Sequence, residues 1–149
     1  MKVVLQRVSE AHVKVDDEIV GKIEKGLMLL IGVDETDEIS DADWLVKKVL
    51  DVRVFSDEEG KMNHSVRDIN GEILCISQFT LISDYKKGNR PSYIKAAKPD
   101  KAIPLFEHFK EEIKKSGLKI ESGIFGADMK VSLINDGPVT LVFDSKTKQ

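Results

Sequence analysis

The chain has 149 residues, 41% hydrophobic and 33% charged, with a net charge of −3. This balance excludes disordered, collagen-like and low-complexity classes and a globally basic nucleic-acid binder, and the length fits one domain over residues 1–149. The longest apolar run, Leu27–Ile31, is too short for a membrane helix, the N-terminal stretch lacks a signal-peptide core, and the lone Cys75 cannot close an internal disulfide, so a cytoplasmic location is expected.

The opening residues read as strand. Val13 and Val15 alternate with polar neighbours, and Asp16-Asp17 suits a hairpin turn into EIVGKI. LMLLIGV is continuously apolar, the pattern of a strand covered on both faces. Ser40, with Asp43 three residues on, is placed to cap a helix whose stripe is Trp44, Leu45, Lys48, Val49 and Val52. RVFSDEEGKMN predicts a strand and a turn at Gly60; Asn70-Gly71 predicts another turn, followed by the strand-like EILCISQFTLI. Ser83–Pro99 reads as a long polar loop, a length often tied to function. Asp100 is expected to cap a second helix, with Pro104 early in it and Gly117 past its end. LKIESGIF, MKVSLI and VTLVF then read as three strands, with Met129, Val131 and Leu133 on one face. The predicted fold is α+β, a largely antiparallel barrel-like sheet with two main helices.

Charge is uneven along the chain. Asp34–Asp43 carries six acids, and Lys86–Lys101 carries six bases with one acid, interleaved with Tyr93 and turn residues. Either run is compatible with a solvated face; the basic one also suits contact with phosphate. No nucleotide-binding glycine motif or nucleophile elbow is present, and His12, His64 and His108 lack metal-ligand spacing. His108, between Phe106 and Phe109, is expected to pair with a nearby Glu.

The most informative local feature is Ser77-Gln78-Phe79-Thr80, where a strand with two apolar faces turns polar. In a straight strand Ser77 and Thr80 fall on opposite faces, so either only one is functional or the strand ends or bulges near Phe79. An interruption would release backbone N–H groups for an anion. Asn135-Asp136-Gly137-Pro138 by itself reads as an ordinary turn with a trans Gly-Pro bond. Arg7 shares a face with Val3 and Leu5, which fits either a strand-end ion pair or a guanidinium clamp on backbone carbonyls.

Taken together, SQFTL at 77–81, KGNRPS at 87–92, FGADM at 125–129 and NDGPVT at 135–140 resemble the D-aminoacyl-tRNA deacylase family, as do VVLQRVSEAHVKVDDEIVGKI and DEEGKMN. The resemblance spans essentially the whole chain; Tyr93 stands where the family most often has Phe. It implies hydrolysis of the ester between a D-amino acid and the 3′ adenosine of tRNA, with glycyl-tRNA as a further substrate and no cofactor or metal. It also implies a homodimer in which a cis Gly137-Pro138 unit enters the partner's active site and captures the α-ammonium. Ser77, Gln78, Phe79 and Thr80 then surround the scissile ester, Arg7 braces the Gly-Pro unit, and Met129 lines the pocket. Lys86, Lys87 and Arg90 are expected to meet tRNA phosphates. Two mechanisms stand open: backbone N–H groups at Phe79 and Thr80 holding the carbonyl oxygen, which is favoured, or Thr80 as a covalent nucleophile, which lacks an evident base. A non-catalytic nucleic-acid-binding module and a different small ester or amide hydrolase are the alternative readings.

Overall fold

Alternating burial along Lys2–Val15 makes a long strand, β1, and the main sheet is arranged around it. The computed structural model describes residues 1–149. Asp16 and Asp17 take φ of 49° and 65°, the two left-handed positions of a tight hairpin, and lead into β2 (Glu18–Ile23). The apolar run becomes β3 (Gly26–Gly32), antiparallel to residues 2–8 of β1, while β2 pairs with residues 11–15 on the same edge. Helix α1 (Ile39–Asp51), the short hairpin β4 (Phe55–Ser56) and β5 (Met62–His64), and then β6 (Glu72–Ser77) follow. Helix α2 (Pro99–Lys114), β7 (Ile120–Ser122) and β8 (Lys130–Asp144) complete the chain.

β8 lies antiparallel along the other edge of β1. The sheet is mixed, because β3 pairs parallel with β6 and β6 parallel with β7. The barrel-like, two-helix architecture holds; the parallel pairs were not foreseen, since a period of two carries no strand direction. Chain connectivity explains them: α1 lies between β3 and β6, and α2 between β6 and β7, the crossovers parallel neighbours need.

Several boundaries differ from the sequence reading. Helix α1 begins two residues earlier, with Glu38 rather than Ser40 as its N-cap, because the Asp41 carboxylate reaches back to accept the Glu38 N–H at 2.8 Å. Helix α2 is capped by Lys98, not Asp100, since Pro99 at the first helical position has the φ a helix start needs. Asp100 instead adds a negative charge to the first turn, and Pro104 lies inside the helix. The last two predicted strands are one element, β8, interrupted by a projecting loop. His108 pairs with Asp43 across the two helices, at 2.7 Å, and not with a Glu.

Two apolar clusters flank the sheet. Leu5, Leu29, Ile73 and Cys75 face Leu45, Phe106 and Phe109 of the helices. Val8, Val13, Met28, Leu74 and Ile76 form the second cluster, against which Met129, Val131 and Leu133 pack as expected. No helix is long and apolar enough to cross a membrane.

The two ends of the chain meet at the start of α1. The Met1 ammonium donates to Asp37 Oδ1 at 2.5 Å and Ser145 Oγ at 2.9 Å, and Lys146 lies 3.1 Å from Asp41. Burial alone would raise the Asp41 carboxyl, but the Glu38 N–H, the Ser145 hydroxyl and the Lys146 ammonium outweigh it and lower it to about 2. A depressed carboxyl stabilises the fold above its unfolded value of 3.8, and the contribution disappears as pH falls through that value to about 2. Asp41→Asn is therefore expected to cost about 2 kcal/mol near neutrality, with parent and variant converging at the acid end. Urea unfolding across a pH series checks this; a constant difference down to pH ~2 contradicts it.

Candidate active site

β6 ends at Ser77, and Phe79–Leu81 turn into a single 3-10 turn. This resolves the conflict between Ser77 and Thr80 in favour of a strand that ends. The turn lies against Gly32 of β3, where a Cβ would stand 2.9 Å from Leu81 Cβ and 3.0 Å from the Gln78 carbonyl, so only glycine permits the approach. Gln78 N–H donates to Ile31 O at 2.7 Å, and the turn's own bonds run from Leu81 to Gln78 and from Ile82 to Phe79. The N–H groups of Phe79 and Thr80, the first two of the turn, stand outside that ladder.

Ser77, Gln78, Phe79 and Met129 line a single cavity of about 240 Å³, together with Phe106 of α2 and Phe125. Thr80 is drawn to this group by Gln78, whose Nε2 donates to Thr80 Oγ1 at 2.5 Å. An amide is no base, so this contact orients the hydroxyl without activating it. Cys75 is two residues upstream but fully buried, and burial pushes its thiol up to about 12, which rules it out as a nucleophile at neutral pH. Phe79 is 56% exposed, and its ring meets Tyr93 edge-on, with ring centroids 5.1 Å apart. Tyr93 is a contact the sequence reading did not assign.

A second group forms on β1 and β8. Gln6 pairs with Thr140 and Val8 with Asn135, so Arg7 alone spans residues 136–139, which project as a loop. Arg7 Nε donates to the Asp136 carbonyl at 2.8 Å and Nη1 to the Val54 carbonyl at 2.6 Å. The guanidinium is thus a clamp on carbonyls and not half of an ion pair. Asn135 closes the loop's neck: its Oδ1 accepts the Val139 N–H at 2.7 Å, and its Nδ2 donates to the Val139 carbonyl at 3.3 Å. Asn135 is a further residue left unassigned by the sequence reading; its place beside Asp-Gly-Pro was the available signal. Gly137-Pro138 is cis, against the ordinary-turn reading and in line with the resemblance. Gly137 and Pro138 are exposed and do not line the 240 Å³ cavity of their own chain.

The basic segment is tied by paired hydrogen bonds between Asp84 and Ser92, at 2.9 and 2.7 Å. Lys87 and Arg90 are exposed between these anchors, and Lys86 lines a separate, larger cleft of about 450 Å³. No three His, Cys, Asp or Glu side chains gather in an arrangement that would hold a metal ion.

The family model for D-Tyr-tRNA(Tyr) deacylase matches residues 4–144. The chain is 57% identical to the D-aminoacyl-tRNA deacylase of Flavobacterium psychrophilum over 150 aligned positions, covering all of both proteins. It is 56% identical to that of Bacillus thuringiensis over 98% of this chain and all of the relative. Among solved structures, the c-Myc DNA Unwinding Element Binding Protein superposes with a TM-score of 0.91 at 40% identity, over 97% of this chain and 98% of that one. A probable eukaryotic D-amino acid tRNA deacylase shares the fold at a TM-score of 0.80 and 18% identity, over 95% and 97% of the two chains. The chain belongs to the D-Tyr-tRNA(Tyr) deacylase family.

Proposed function

We propose that this protein hydrolyses the ester joining a D-amino acid to the 3′-terminal adenosine of tRNA, and mischarged glycyl-tRNA with it. On this reading it acts in the cytoplasm as a homodimer of single-domain chains. The observation that carries the mechanism is the turn at Phe79–Leu81, whose first two N–H groups are free of its ladder and whose first residue lines an apolar cavity. An aminoacyl ester is already activated by its α-ammonium and the adjacent ribose hydroxyl. Positioned donors for the developing oxyanion then suffice, and water or an RNA hydroxyl completes the step. The Gln78–Thr80 contact supports this over a covalent Thr80, because it supplies no base.

The homodimer reading rests on the projecting loop. It stands outside its own chain's cavity, and Ile134 and Val142 of β8 are 54% and 65% exposed around it. Arg7 engages the Asp136 carbonyl and Asn135 that of Val139, which leaves the intervening carbonyls of Gly137 and Pro138 for the substrate's α-ammonium. With ammonium and ester fixed, the two enantiomers differ only by exchange of hydrogen and side chain. A wall of backbone therefore rejects every L residue regardless of its identity.

The test incubates the protein with D-Tyr-tRNA and L-Tyr-tRNA and follows ester loss. Rapid loss of the D ester alone is expected, and Thr80→Ala retains activity within about tenfold, since its N–H survives. Equal rates for both enantiomers, or loss abolished by EDTA, overturn the function. An acyl-enzyme trapped on Thr80 together with an inert Thr80→Ala overturns the mechanism.

A further inference from the structure

The cleft of about 450 Å³ is larger than the candidate active site and plays no part in the chemistry above. We propose that it is a track for the unpaired nucleotides preceding the terminal adenosine of tRNA, with Lys2, Lys86 and Lys95 taking phosphates and Tyr85 stacking on a base. This inference rests on the tRNA-ester reading.

Four lysines line the cleft. Lys146 is engaged internally, donating to Asp41 at 3.1 Å and to the Thr36 carbonyl at 3.2 Å. Lys2, Lys86 and Lys95 have no carboxylate oxygen within 4.0 Å. The three carboxylates of the lining are occupied with local backbone. Asp34 accepts the Thr36 N–H, Asp84 the Lys86 N–H and Asp144 the Lys146 N–H, each at 2.9 Å. They shape the walls and also temper the field, which suits a strand offering a few phosphates more than a dense duplex.

The rim points to single-stranded RNA. Tyr85 is 67% exposed and offers a flat aromatic face, and Ile94, 75% exposed, adds an aliphatic surface, both lining the cleft with the unpaired ammonium groups. Unpaired bases present faces to such surfaces, whereas paired bases do not. The cleft and the candidate active site are also lined by neighbouring stretches of chain, Val33 facing the one cavity and Asp34 the other. Phe79 lines the 240 Å³ cavity, and Ile82, three residues on, already lines the cleft. In this proposal a strand whose last nucleotide reaches Phe79 runs its preceding phosphates along the 82–86 segment.

A labelled short single-stranded RNA ending in CCA, followed by fluorescence anisotropy over a salt series, tests the assignment. For Lys2→Ala/Lys95→Ala, the slope of log affinity against log salt is expected to fall by about 1.4, roughly 0.7 per lost phosphate contact. Tyr85→Ala is expected to weaken binding roughly tenfold at an unchanged slope, because stacking releases no counterions. In both variants, the rate preference for D-Tyr-tRNA over 3′-D-tyrosyl-adenosine falls by a similar factor. Affinity, slope and preference equal to the parent's overturn the proposal. If the parent hydrolyses neither ester yet binds the RNA through these residues, the cleft stands and the catalytic reading falls.

Discussion

Gly137→Ala is expected to lower D-aminoacyl-tRNA hydrolysis by about a hundredfold or more, with little change in the unfolding midpoint of the protein. The residue has φ of +143°, a region that side-chain-bearing L residues rarely enter. A Cβ there would stand 2.8 Å from Val139 Cγ2, 3.0 Å from the Val139 nitrogen and 3.0 Å from the Arg7 guanidinium. Val139 N is fixed by Asn135 and Arg7 by two carbonyls, so neither yields without releasing the loop. Displacement of about 1 Å in a positioning group is enough for a loss of that size. Asp136, Gly137 and Pro138 are exposed and belong to neither core, and of the loop only Val139 packs against the main cluster, so the damage is local. Single-turnover deacylation beside a thermal melt separates the two effects. Full activity in Gly137→Ala contradicts a positioning role for the loop, and collapse of the fold contradicts its local character.

The largest expected loss of stability follows from Asp37→Ala, about 3–5 kcal/mol. Asp37 and the Met1 ammonium are both fully buried and form an ion pair at 2.5 Å. The other Asp37 oxygen accepts the Asp34 N–H at 2.7 Å, and Lys146 lies 3.5 Å away. Truncation leaves an ammonium buried without its anion, which costs far more than a lost surface pair. Asp37→Asn retains an acceptor and should fall between parent and alanine variant. Urea unfolding at neutral pH measures both. A loss below about 1 kcal/mol in Asp37→Ala would mean that water reaches Met1 and solvates it.

The strands and helices were legible because each has one dominant period. β6 shows this well: Ile73 and Cys75 face one core, Leu74 and Ile76 the other, as their alternation requires. The break after Ser77 was visible as a change of polarity, but its form was not. That form depends on Gly32 of another strand admitting the turn, a contact between residues far apart in the chain. Helix starts were misread by about two residues because Glu38 and Lys98 are poor caps in isolation, and their neighbours Asp41 and Pro99 decide the outcome. The parallel pairings, Tyr93 against Phe79, and Asn135 across the loop neck are likewise products of topology. The pairing of His108 with Asp43 belongs there too, since it joins two helices that sequence spacing cannot orient.

Residues 136–139 are tied down by side chains of their own chain. Arg7 reaches the loop from β1, Asn135 reaches it from β8, and Val54 anchors Arg7 from beyond α1. In the homodimer proposed above, each loop is therefore braced by its own chain and not by the partner. On that proposal an incoming copy would meet a projection already tied within its own chain, and docking would incur little ordering entropy for these residues. Association on this face would then be closer to key-in-lock than to folding on contact.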